Sequence, residues 1–147
     1  MKLFKNHLQF IITAITKAME KYFETSCTNN ILYPNRLIVS NWKLKKYHSL
    51  EQVKNHIFVL KQNIGKGKFF FLSDITAVKS VSKPVREYLA SEVVDTICAA
   101  HAIYTNSAIT RMIGNLFIKF NKPVYPNQLF TNKDTAHEWL LKQMHST

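Results

Sequence analysis

The sequence predicts one α/β domain on a mixed, largely parallel sheet of about five strands. Three observations predict it. Short apolar runs alternate with segments whose apolar residues recur at the helical period, the pattern of strand–helix–strand crossovers. Two of those runs, KFFFLSD at 68–74 and ICAAHAIY at 97–104, are unbroken, as strands buried on both faces are. Two further stretches, 22–28 and 36–42, stand on either side of the turn signal Asn29-Asn30 and read as a hairpin along an antiparallel edge.

Composition agrees with a single core. The chain has 147 residues, 46% of them hydrophobic and 20% charged, enough to fill one domain and too apolar for intrinsic disorder. Three glycines and four prolines exclude a low-complexity linker. No apolar run approaches the ~20 residues of a membrane span. Cys27 and Cys98 are far apart in apolar, strand-like stretches and form no C-x-x-C, so they read as buried thiols of a cytoplasmic protein. The apolar stretch from Leu8 to Ile15 is followed by Lys17, Glu20 and Lys21 rather than by a small-residue cleavage site, which argues against a secretory leader.

In order along the chain, Leu8, Ile11, Ile12, Ile15, Met19 and Tyr22 form a helical stripe that Phe4 extends. Residues 1–21 are expected to be an accessory amphipathic helix and residues 22–147 the sheet domain. After the hairpin, Ser49-Leu-Glu-Gln52 has capping-box form and opens a helix with Val53, Ile57, Leu60 and Ile64 inward. Gly65 and Gly67 close it. Ser82 and Pro84 open the next helix, with Val85, Tyr88 and Leu89 inward. Ile109, Met112, Ile113, Leu116, Phe117 and Phe120 predict a third helix by period, with that stripe toward the core. Pro126 confines the strand at 124–130 to an edge. Thr131-Asn-Lys-Asp134 caps a last helix with Ala136, Trp139, Leu140 and Met144 inward.

Catalytic patterns are missing. None of the six histidines forms H-E-x-x-H or pairs with a cysteine at zinc-like spacing, so no metal site and no cofactor is expected. Gly65-Lys-Gly67 lacks the phosphate-loop frame and precedes its strand. His101 reads as a core histidine or, less simply, a ligand or base. Asp74 ends a buried strand, where open α/β sheets place ligand groups and where a carboxylate also caps loops.

Charge is uneven. Residues 31–70 carry Arg36, Lys43, Lys45, Lys46, Lys54, Lys61, Lys66 and Lys68, eight cations against Glu51 alone, within a chain of net charge +11. This region reads either as a patch for nucleic acid or an anionic membrane surface, or as a solvated face. With no base-reading motif, only weak, nonspecific polyanion binding is expected. Opposite the stripe of the third helix lie Ser107, Arg111, Gly114 and Ile118, with Asn115 beside them. A mid-helix glycine implies close approach, either by a second copy, giving a homodimer, or by an element of its own domain.

The strings FFFLSD (69–74), VREYL (85–89), AIY (102–104), NSAITRMIGN (106–115), PNQLF (126–130) and AHEWL (136–140) resemble small bacterial SpoIIAA-like (STAS-like) proteins over about 22–143. The resemblance implies helices mainly on one face of the sheet and a regulatory or protein-interaction role without catalysis, with an unknown protein as partner. A small-ligand role is the remaining alternative. In that family a serine in a turn that opens a helix is phosphorylated. Here the corresponding turn, 79–84, holds Ser80 and Ser82, which with Asp74 make the candidate regulatory turn; the family's preceding aspartate and following glycine are absent, Lys83-Pro84 stands instead, and Ser82 reads as a helix cap.

Overall fold

The computed structural model describes residues 1–44 and 47–146. Its elements run α1 (Lys2–Ala18), β1 (Lys21–Glu24), β2 (Thr28–Leu32), β3 (Leu37–Trp42), α2 (Leu50–Ile64), β4 (Phe69–Asp74), α3 (Lys83–Leu89), α4 (Glu92–Asp95), β5 (Cys98–Tyr104), α5 (Ala108–Leu116), a π-helical turn (Phe117–Asn121), β6 (Asn127–Phe130) and α6 (Lys133–His145). The described residues form one sheet with strands in chain order, β1-β2-β3-β4-β5-β6. β1, β2 and β3 are an antiparallel meander, and β3 through β6 are parallel.

Alternation along β4 shows why its run is unbroken. Phe69 and Phe71 face one side and pack with Ile38, Ile57, Leu60 and Cys98 beneath α2 and α3. Phe70 and Leu72 face the other side and pack with Ala102, Phe130, Ala136 and Leu140 beneath α6. Ala100 and Ala102 let α6 lie close to the sheet. Among the described residues, helices α2, α3 and α5 share one face and α6 covers the other. The caps form as the sequence predicts: the Ser49–Gln52 box is reciprocal, Ser82 accepts from Val85 N, and Asn132 accepts from Thr135 N.

Three expectations need correction. The sheet has six strands, because the segment before Arg36 forms two. Asn29 and Asn30 lie within β2 rather than in a turn. Asn30 is buried and satisfied from several sides: its Oδ1 accepts from Thr28 Oγ1 at 2.9 Å and Ser40 Oγ at 2.8 Å, and its Nδ2 donates to Phe23 O at 3.3 Å. Those partners override the local turn preference of asparagine. The chain turns instead at 25–27, where Thr25 Oγ1 accepts from both Cys27 N and Thr28 N. Cys27 is therefore a buried turn residue, not a strand residue.

The third correction concerns α5, rotated by roughly a quarter-turn from its apolar stripe. Thr110, Gly114 and Phe117 are its buried residues, whereas Ile109, Met112 and Phe120 are exposed. Two contacts cause this. The hydroxyls of Thr105 and Thr110, both buried, bond to each other and pull the first turn inward. A Cβ on Gly114 would stand 2.9 Å from Leu129 Cδ1 and 3.7 Å from Ile75 Cδ1, so any larger residue there would have to displace the Leu129 side chain for the helix to sit this close. Gly114 is thus packed inside its own domain and is not available to a second copy.

α1 buries none of its residues and belongs to none of the core clusters. Where the chain leaves it, Lys21 Nζ donates to Asn63 O at 2.9 Å and ties the start of β1 to the end of α2.

Candidate functional site

The rotation of α5 leaves an apolar ridge on the surface. Ile109, Met112, Leu116 and Phe120, at i, i+3, i+7 and i+11, are 63%, 62%, 39% and 67% exposed. The ridge runs from α5 into the π-helical turn, which carries the chain out to Lys122 in the left-handed region, at φ +43°. Arg111, Asn115 and Lys119 share a shallow groove with Met112, Leu116 and Phe120, and Lys119 Nζ lies 5.5 Å from the Phe120 ring centroid. Between Asp95 and Asp134 the chain has no acidic residue, and the charged residues that line this groove are Arg111 and Lys119.

A second feature lies beneath. Between the sheet and helices α2, α3 and α5 is a cavity of about 120 Å³ with a mainly apolar lining. Its polar groups are few. His101 Nε2 lies 2.8 Å from Ser73 Oγ, and burial lowers the His101 pKa to about 4. His56 Nδ1 lies 2.7 Å from Thr25 Oγ1, and burial, then the charge of His48, lowers its pKa to about 4. Burial, with Asp95 adding to it, pushes the Cys98 thiol up, so it stays protonated at neutral pH. Such a site has the volume of a small apolar group and supplies neither a thiolate nor a base poised near neutrality. Arg86 lines it too, its Nη1 donating to Val81 O at 2.8 Å. Among the described residues no cluster of three or more His, Cys, Asp and Glu could hold a metal ion.

The candidates read from the sequence are dispersed. Asp74 Oδ1 accepts from Thr76 N at 3.0 Å and its Oδ2 lies 3.5 Å from Lys133 Nζ, so Asp74 shapes the loop after β4. Ser80 is exposed and lines the cavity, while Ser82 holds the first turn of α3. Of the proposed dimer face, Arg111 and Asn115 are exposed, Ile118 is half-buried and Gly114 is buried. Among the described cations of the basic region, Arg36 and Lys43 are engaged with groups of their own chain. Arg36 donates from Nε to Lys68 O and from Nη2 to Lys66 O, with its guanidinium 4.0 Å over the Phe69 ring. Lys43 pairs with Glu24 and donates to Thr25 O. These two stand at opposite ends of β3, about 20 Å apart for a strand of that length. Lys54 and Lys61 lie toward opposite ends of α2. Lys45 and Lys46 fall outside the described residues.

Periodicity alone does not reveal the ridge, because its residues carry the same signal as a core face. A family model describing a domain of unknown function, DUF7793, matches residues 31–144. The chain belongs to the DUF7793 family. The DUF7793 region contains the ridge and the residues that line the cavity, and it leaves α1 outside. No curated protein matches the sequence. The crystal structure of an uncharacterised DUF3478-family protein from Shewanella loihica, described as having a SpoIIAA-like fold, is similar at a TM-score of 0.48 and 12% identity, over 82% of this chain and 91% of that one.

Proposed function

We propose that this DUF7793 domain is a non-enzymatic, regulatory protein-interaction module that docks its partner on the α5 ridge. One observation carries the reading: four large apolar side chains of one helical face stand in solvent, although their period would suit a core. The rim selects the partner. Arg111 and Lys119 border the ridge without a compensating acid, so the partner fitted to it is an apolar helix face with acidic flanks. A second copy of the ridge would bring cations against cations. The absence of catalysis on this reading is supported by the mainly apolar lining of the cavity and by its protonated Cys98 thiol.

The test is capture from a lysate of the source cells with wild-type bait, Ile109→Glu/Met112→Glu bait and Ile11→Glu bait, followed by titration of the captured partner's acidic helical segment. Loss of the partner with the ridge variant alone, and saturable peptide binding at one per chain, supports the reading. Equal capture by all three baits overturns it. A small-ligand role is a second reading, favoured only by the cavity, whose volume is close to that of an aromatic ring. It is tested by the thermal shift that small aromatic acids produce, with Arg86→Ala abolishing the shift.

A further inference from the structure

Helix α1 has 17 residues and buries none of them. An isolated helix of this length is marginal in water, so its apolar face requires a surface. At about 100° per residue the side chains separate cleanly. Phe4, Leu8, Phe10, Ile11, Ile12, Ile15 and the remaining apolar residues fill a sector of about 200°, interrupted only by His7. Lys2, Lys5, Asn6, Gln9, Thr13, Thr16 and Lys17 fill the rest. Lys5 stands at one border of the apolar sector, next to Ile12, and Lys17 at the other, next to Phe10. Lys2 is at the middle of the polar face. No acidic residue occurs on the helix.

Each property narrows the occupant. A sector this wide exceeds the narrow seam of a two-stranded coiled coil. Pairing with a second α1 would set lysine borders against lysine borders with no carboxylate between them. The α5 ridge of the same chain is bordered by Arg111 and Lys119, again of like sign. No helix among the described residues is long and apolar enough to cross a membrane. What remains is a surface that is apolar in depth, wide, and negative at its rim. We infer that α1 is an interfacial anchor that lies in the plane of an anionic bilayer. Its apolar sector enters the boundary between headgroups and acyl chains, and Lys5 and Lys17 reach outward to lipid phosphates and carboxylates. The inference is independent of the partner proposed for the α5 ridge.

The full chain is sedimented with vesicles of phosphatidylcholine alone and with vesicles that also contain phosphatidylserine. Three lysines near the surface predict partitioning about a hundredfold stronger onto the anionic vesicles. Ile11→Glu/Ile15→Glu is expected to abolish it, and Lys2→Ala/Lys5→Ala/Lys17→Ala to remove the lipid preference. Urea midpoints of both variants should match wild type, because these side chains are exposed. Binding that survives Ile11→Glu/Ile15→Glu overturns the inference and assigns the attraction to cations of the sheet domain. A wild type that stays in the supernatant also overturns it. So does a dimer that Ile11→Glu dissociates without any vesicle binding, which makes a second copy the occupant.

Discussion

Two phenylalanines three residues apart decide the orientation of α5. Phe117 is 8% exposed and Phe120 is 67% exposed, although both fall on the same apolar stripe. A phenylalanine presents about 200 Å² to solvent when unfolded. At about 25 cal/mol per Å², near-complete burial of Phe117 is worth about 4–5 kcal/mol and the third of Phe120 that is covered about 1.5 kcal/mol. Phe117 also lines the existing cavity, so truncation enlarges a void that its neighbours already fail to fill. Phe117→Ala should therefore lose about 3–5 kcal/mol and Phe120→Ala no more than about 1.5 kcal/mol. Urea unfolding followed by far-ultraviolet circular dichroism, with equal slopes as the two-state check, reads the difference directly. Equal losses, or a larger loss at Phe120, would refute the rotation and return the ridge to the core.

Ser82→Ala should cost about 1 kcal/mol, the usual value of an N-cap, without loss of partner binding; phosphate found on Ser80 or Ser82 in protein from native cells contradicts a purely capping role. Acid should destabilise the fold through His56, which is buried, and His101, which is half-buried. His101 and His56 have pKa values lowered to about 4 from an unfolded value of 6.5, so the unfolded chain binds more protons between these limits. Their contribution is complete above about pH 6.5, falls as pH drops, and is gone near pH 4, by up to about 3 kcal/mol each; a pH series of urea midpoints should be flatter in this window for His101→Phe than for wild type. Arg36→Ala should lower stability by about 1 kcal/mol through its two carbonyl partners while leaving retention on heparin or DNA nearly unchanged, since this guanidinium is committed to its own chain. A marked preference for one nucleic-acid sequence would contradict the weak polyanion binding expected of scattered cations.

The parallel half of the fold was legible because its determinants are local. β4 and β5 announce themselves by length and unbroken apolarity, and their flanking helices by Ser49, Gln52 and Ser82, whose partners lie within three residues. The turn and middle strand of the meander and the orientation of α5 were not, because distant groups decide them. Asn30 answers to Ser40, and Thr25 to His56 thirty-one positions away. Gly114 answers to Leu129 and Ile75. Periodicity found the apolar stripe of α5 without saying which way it points, since an exposed docking face and a core face obey the same spacing. The basic run likewise counted charges in sequence, whereas the fold separates Arg36 from Lys43 by the length of a strand.

Both unpartnered apolar surfaces, the α5 ridge and the α1 sector, have basic borders, and this has a consequence for self-association. An exposed apolar face normally draws copies together. Here each approach of two copies also brings Arg111 and Lys119, or Lys5 and Lys17, against their own kind, in a chain of net charge +11. The repulsion acts over the Debye length, about 10 Å at 0.1 M salt and about 3 Å at 1 M, whereas apolar contact is not weakened by salt. Added sodium chloride should therefore promote oligomers of the full chain, and Met112→Glu or Ile11→Glu should suppress them according to which face is responsible. Sedimentation velocity across a salt series measures this. Oligomers that dissociate as salt rises would show that ion pairs hold the copies together, and the basic borders could not then be what keeps these faces apart.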